Sequence, residues 1–231
     1  MRTFTFLLLL LSIQSAAQQH IAQFVVWKPK AGLEQQFEKG YRQHLQWHKA
    51  NRDPWAWYGW FIVSGPRDGQ FVDATMEHAW SDFDHQQKPA DDRADNELHV
   101  YPFADLQTVV KAVRLPALCT GDISGLQSKF LRMVTLQVTD ISSGIKVLEQ
   151  LKRSWPSATP VKNLLVYKIA DGGAINELLL LWGFNSFEEY GNSEQLQEAL
   201  GAVETALKVK AVKAITSETL VYRADMSLFP D

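Results

Sequence analysis

The chain has 231 residues, 46% of them hydrophobic and 21% charged, a balance that excludes a disordered polymer and allows one or two globular domains. Its 23 basic and 26 acidic side chains give a formal charge of −3, so there is no basic field to hold nucleic acid. The single cysteine, Cys119, excludes an internal disulfide and reads as a small buried hydrophobe, leaving core packing to stabilise the fold.

The N-terminus carries the first strong signal. Arg2 precedes an apolar run from Thr3 to Ile13 that contains the leucines Leu7 to Leu11, and Ser15-Ala16-Ala17 then offers small residues to a signal peptidase. Residues 1–17 are therefore expected to be a signal peptide, cut near Ala17, and the mature protein periplasmic or secreted. The apolar run falls short of the ~20 residues that a span needs, and no later segment is a better candidate, so no stable membrane anchor is expected.

One order of elements then appears twice. In residues 18–128 a strand at Ile21 to Trp27 leads to a helix from about Leu33 to Ala50. A strand at Trp57 to Val63, a Gly/Pro/Asp turn and a strand from Phe71 to Trp80 follow. Ser81-Asp82-Phe83-Asp84 resembles a helix-start capping box. A polar stretch, Lys88 to Glu97, reads as a solvated insertion. Phe103 to Val113 reads as a late helix, and Ile123 to Lys129 as a fourth strand.

Residues 129–231 repeat the order. A strand at Leu131 to Val138 precedes a helix at Ser143 to Ser154. A hairpin follows, from Leu164–Ile169 to Asn176–Phe184, with its turn at Asp171-Gly172-Gly173. A helix at Ser193 to Lys210 and a strand at Ser217 to Ala224 finish the copy. Trp80-Ser81-Asp82-Phe83 of the first copy matches Phe184-Asn185-Ser186-Phe187 of the second. The order βαββαβ is that of a ferredoxin-like unit. Strands Trp57–Val63 and Leu178–Trp182 are apolar on both faces, so both faces must be covered: one by helices, the other by the second unit's sheet.

On these features, namely Trp57–Val63, the hairpin, Phe71–Trp80, Ser81–Phe83 and their second-copy counterparts, the mature chain resembles the dimeric α/β-barrel superfamily. That group includes antibiotic-biosynthesis monooxygenases, stress-responsive barrel proteins and NIPSNAP relatives. The resemblance implies an α+β fold in which two tandem ferredoxin-like βαββαβ units pack sheet to sheet as an intrachain α/β barrel. A chain that closes its own barrel is expected to be a monomer. The resemblance also implies that a haem, if bound, would take a helix histidine, for which His85 is nearest by position.

Candidate chemistry sits in the first copy. On the first helix Phe37, Tyr41, His44, Trp47 and His48 fall within one arc roughly 120° wide. His44 and His48 are one turn apart and share that apolar face. On the third strand Val72, Ala74, Met76, His78 and Trp80 form the more apolar face and are expected under that helix. His44, His48 and His78 would then converge as ligands for a transition metal. Tyr41, Trp57 and Trp60 complete the expected ligand site. The same residues also read as a polar, metal-free pocket for a small, partly aromatic molecule, or as hydrogen-bonded core. Three functions stay open: a ligand-binding protein, a monooxygenase-like enzyme (metal- or haem-dependent, or cofactor-free), and a structural barrel with a filled core.

Overall fold

A computed structural model describes residues 20–155 and 161–230 of the chain; the expected signal peptide lies outside them. The first unit runs β1 (Ile21–Pro29), α1 (Glu34–Ala50), β2 (Tyr58–Ile62), β3 (Phe71–His78), α2 (Pro89–His99) and β4 (Ala104–Arg114). The second runs β5 (Phe130–Val138), α3 (Ile141–Ser154), β6 (Leu164–Asp171), β7 (Glu177–Phe184), a short α4 (Phe187–Gly191), α5 (Leu196–Leu207) and β8 (Val212–Tyr222). Each unit is an antiparallel sheet with its first and third strands central: β4-β1-β3-β2 and β8-β5-β7-β6. The edges pair across units. Trp60 to Ile62 of β2 meet Leu220 to Tyr222 of β8, and Lys111 to Arg114 of β4 meet Tyr167 to Asp171 of β6. All eight strands close into one barrel, which leaves neither sheet an open edge.

The barrel explains the strands that are apolar on both faces. Inward residues such as Phe24, Tyr58, Trp60, Ile62, Val72, Leu131, Tyr167, Leu179 and Leu181 fill the interior as one core. Outward residues pack beneath the helices. Val25, Trp27 and Phe71 lie under Phe37, Tyr41 and Leu45 of α1, and Val134, Leu136, Leu178 and Leu180 lie under Val147, Leu148 and Leu151 of α3.

Four sequence expectations are corrected. Phe103 to Val113 is not a helix but β4, because Thr108, Val109, Val110 and Val113 are β-branched and both neighbouring strands need a partner there. Ile123 to Lys129 is not a strand. Ile123–Gln127 is a 3-10 helix, capped by the Asp122 side chain accepting from Ser124 N–H, and its Leu126 plugs the barrel interior.

Lys88 to Glu97 is not a loose insertion. It forms most of α2, which starts with Pro89 at its first turn, where a missing N–H costs nothing. Finally, β3 faces the other way. Val72, Ala74 and Met76 point into the barrel, while Phe71 and Asp73 sit under α1. Between these and His78 the register with β1 slips by one residue, at Glu77 with φ of 66°. That bulge returns His78 to the helix side.

Candidate functional site

The site lies outside the barrel, between α1, α2 and the first unit's sheet. Helix α1 presents His44 and His48 one turn apart, both at most 5% exposed. Helix α2 can reach them because α1 carries Gly40 at the crossing. A Cβ there would stand 1.8 Å from the His99 carbonyl oxygen, so only glycine allows the helices this close. The approach brings Asp92, Asp95 and Asn96, one face of α2, over the two imidazoles.

The geometry is ordered from the outside in. His44 Nδ1 is 2.7 Å from Asp95 Oδ2, and His48 Nδ1 is 2.7 Å from Asp53 Oδ2, although that second contact lies off the hydrogen-bond line. Asp53 is itself fixed by the Trp55 N–H (3.0 Å) and Trp57 Nε1–H (3.1 Å). With a carboxylate at each Nδ1, the two Nε2 atoms turn toward each other, 3.1 Å apart. Asp92 Oδ1 completes a triangle, at 3.3 Å from His44 Nε2 and 3.5 Å from His48 Nε2. Asn96 Nδ2 lies 3.0 Å from His44 Nε2. Among the described residues, His44, His48 and Asp92 form the group of acidic, histidine or cysteine side chains close enough together to hold a metal ion.

Electrostatics follow from burial. Desolvation, aided by the neighbouring His48, holds His44 neutral and lowers its pKa to about 4, against the pull of Asp95. Burial raises Asp92. Burial also works against ionised Asp53, but the adjoining His48 imidazole and the hydrogen bonds from Trp55 and Trp57 outweigh it and hold Asp53 below the usual carboxylate range.

Beside the triangle a cavity of about 170 Å³ is lined by Tyr41, His44, Trp57, Asp73, Asp92 and Asn96, with Trp27, Tyr101 and Val109 among its apolar walls. Asp73 is 3% exposed. Its Oδ2 accepts from Trp27 Nε1 at 2.7 Å, while Oδ1 is buried without a hydrogen-bond partner. Burial raises this carboxyl to about 7, opposed by Trp27 and Tyr41.

Of the residues singled out in the sequence, His44, His48, Tyr41 and Trp57 meet here; the Trp57 ring stands 4.4 Å from that of His48. His78 does not join them. It packs on Trp55 at 4.1 Å, 3.7 Å from Asp82 Oδ2, and its buried Nε2 has no partner. The bulge and the Trp55 ring set it apart, and Asp92 takes the third place. Trp60 lies inside the barrel, stacked on Tyr58 and bonded through Nε1 to the Leu126 carbonyl, across the sheet from the pocket. His85 is exposed and bonded to the Ser81 carbonyl. Asp53, Asp73, Asp92, Asp95 and Asn96 went unread in the sequence. The available signal was the helical spacing of Asp92, Asp95, Asn96 and His99, which a solvated-insertion reading discards.

No protein-family model and no curated protein matches the chain. Solved structures do. A monooxygenase candidate from Lactobacillus acidophilus NCFM superposes with a TM-score of 0.60 at 11% identity, over 92% of this chain and 97% of that one. A mutant chlorite dismutase from Candidatus Nitrospira defluvii gives 0.59 at 6% identity, over 90% and 92%. An anthrone oxidase-like protein gives 0.56 at 10% identity, over 90% and 92%. At such identities the likeness speaks for the fold. The chain has the fold of the dimeric α/β-barrel superfamily, with both ferredoxin-like halves on one polypeptide.

Proposed function

We propose that the first unit is a mononuclear transition-metal centre that opens onto a pocket for a small ring-bearing molecule, and that it carries out oxygenase-type chemistry. The observation that carries this is the donor triangle. An ion with tetrahedral bonds of about 2.0–2.1 Å holds its ligands roughly 3.3 Å apart; the Nε2, Nε2 and Oδ1 atoms stand 3.1, 3.3 and 3.5 Å apart. Asp95 and Asp53 supply the outer carboxylates that orient ligating imidazoles. Two imidazoles and one carboxylate suit Zn²⁺ or Fe²⁺, and with open positions they suit an oxygen-activating iron. The fold's likeness to proteins described as a monooxygenase and as anthrone oxidase-like supports the oxygenase side of this reading.

The pocket adds a ligand class. At about 170 Å³ it compares with the ~150 Å³ that holds one benzene ring. Tyr41 and Trp57 supply ring walls, and the unpartnered Asp73 oxygen asks for a ligand donor such as a hydroxyl. A haem macrocycle does not fit this space, and His85, exposed and bonded to backbone, offers none a face. The reading is therefore a lone ion. Among the described residues no helix is long and apolar enough to cross a membrane. We place the mature protein outside the cytoplasm, beginning near Gln18; N-terminal sequencing of the purified protein tests that.

The central test is elemental analysis of protein purified without chelator, followed by anaerobic Fe²⁺ titration. About one ion per chain, lost in His44→Ala and in Asp92→Ala, is expected. Binding that survives both substitutions, or no binding of Fe²⁺, Zn²⁺ or Co²⁺ at micromolar concentration, refutes the centre.

A further inference from the structure

The second unit lacks histidine altogether, yet it holds a larger and more apolar space than the pocket beside the donor triangle. Between α3 and the sheet lies a cavity of about 380 Å³, walled by Leu148 and Leu151 of α3, Val166 of β6, Leu180 and Trp182 of β7, and Leu196 of α5. Its origin is legible in the two helices. Under α1 the corresponding space is filled by Phe37 and Tyr41, whose rings meet that of Phe71 at 5.5 and 4.7 Å. On α3 the apolar residues that face it are Leu148 and Leu151, aliphatic side chains that line the space without filling it. An apolar void of this size forfeits packing on every wall, and water gains few partners in it.

The chemistry of the walls limits what can enter. Lys152 borders the cavity, but its Nζ already donates to the carbonyls of Ala117 and Cys119, each at 2.8 Å, so its charge is engaged. Among the described residues the lining otherwise contains no ionisable side chain. Among the described residues that line it, the buried Thr120 Oγ1 stands without a hydrogen-bond partner. Trp155 and Trp182, edge to face at 5.4 Å, make one wall aromatic. The volume is between two and three times the ~150 Å³ that accepts a benzene.

We infer that this cavity is a second ligand site, which takes a neutral hydrophobic molecule of about two fused rings bearing one hydrogen-bonding group for Thr120 Oγ1. It needs no metal and stands independently of the centre in the first unit.

The test uses the full mature chain and N-phenyl-1-naphthylamine, a neutral two-ring fluorophore that brightens in apolar surroundings. One saturable site is expected, with Leu148→Trp, which fills the void, weakening it at least tenfold while circular dichroism stays unchanged and Tm does not fall. Thr120→Val should weaken it roughly two- to tenfold, the range of one hydrogen bond. His44→Ala should leave it untouched, which separates this site from the first unit's pocket. The anionic analogue 1-anilinonaphthalene-8-sulfonate should bind at least tenfold more weakly. Should Leu148→Trp misfold, Leu151→Phe serves in its place. Absent saturable binding, binding that persists in the folded filled variant, loss in His44→Ala, or equal affinity for the anionic probe would each overturn the inference.

Discussion

At the residue scale, the donor triangle and its outer carboxylates divide the site into two ranks of effect. Removing a ligand in His48→Ala should lower metal affinity by at least a hundredfold in a chelator-competition titration. Asp95→Asn, which leaves His44 in place but loosens its orientation, should cost about 10- to 100-fold. His78→Ala should change nothing, because Trp55 separates it from the centre. A drop with His78→Ala equal to that with His48→Ala would restore the three-histidine arrangement.

Asp73 offers a second prediction. Its folded pKa of about 7 lies above the ordinary carboxyl value, so between about pH 4 and 7 the folded chain binds a proton that the unfolded chain has lost. The cost of ionising it is absent below pH 4 and complete above pH 7. Asp73→Asn, which can still accept from Trp27, should therefore become progressively more stable than the parent across that window. The difference should level off above pH 7 at roughly 2–4 kcal/mol. His44, held neutral, acts in the opposite sense, costing stability as pH falls from about 6.5 toward 4. Both proteins retain it, so urea melts of the pair at several pH values isolate Asp73. A constant difference would show that this carboxyl does not titrate there. Legibility at this scale was partial: the imidazole pair follows from i, i+4 spacing, but its carboxylates come from a different helix and from a loop after α1, which no periodicity connects to it.

At the element scale, α2 makes the site and Gly40 admits α2. Gly40→Ala places a methyl within 1.8 Å of the His99 carbonyl, so one helix must move. A stability loss of about 1–3 kcal/mol is expected, together with loss of metal affinity, since Asp92 rides on the displaced helix. Denaturation and metal titration of the same variant check both; a stability loss with affinity intact would mean that α1, not α2, gives way. The misread elements share one cause. The residues of β4 have no period that separates a strand from a buried helix, and the neighbours that settle the matter are β1 and the distant β6. The mistaken face of β3 has a similar origin: the face inside a closed barrel is the more apolar one, and a bulge then inverts the alternation before His78.

At the scale of the whole molecule, the units are joined by strand edges, with β2 on β8 and β4 on β6. Either half alone would leave two edges unpaired and its inward core open to water. Residues 18–128 and 129–231 produced separately should each run as dimers or larger species in light scattering, and mixing should recover a one-to-one complex. A stable monomeric half would refute the barrel as the unit of folding. Repetition of βαββαβ, the Gly/Asp turns and the two-sided apolar strands were enough to determine the architecture from the sequence, because local periodicity and turn chemistry are properties of neighbouring residues. The concentration of histidine in the first copy likewise marked which half carries the candidate site. Only the tertiary structure decided which acids stand beside which imidazoles, that His78 and Trp60 stay out, and that α3 leaves a cavity over its sheet. Each of these depends on contacts between residues far apart in the chain, set by helix crossing, bulge and barrel closure.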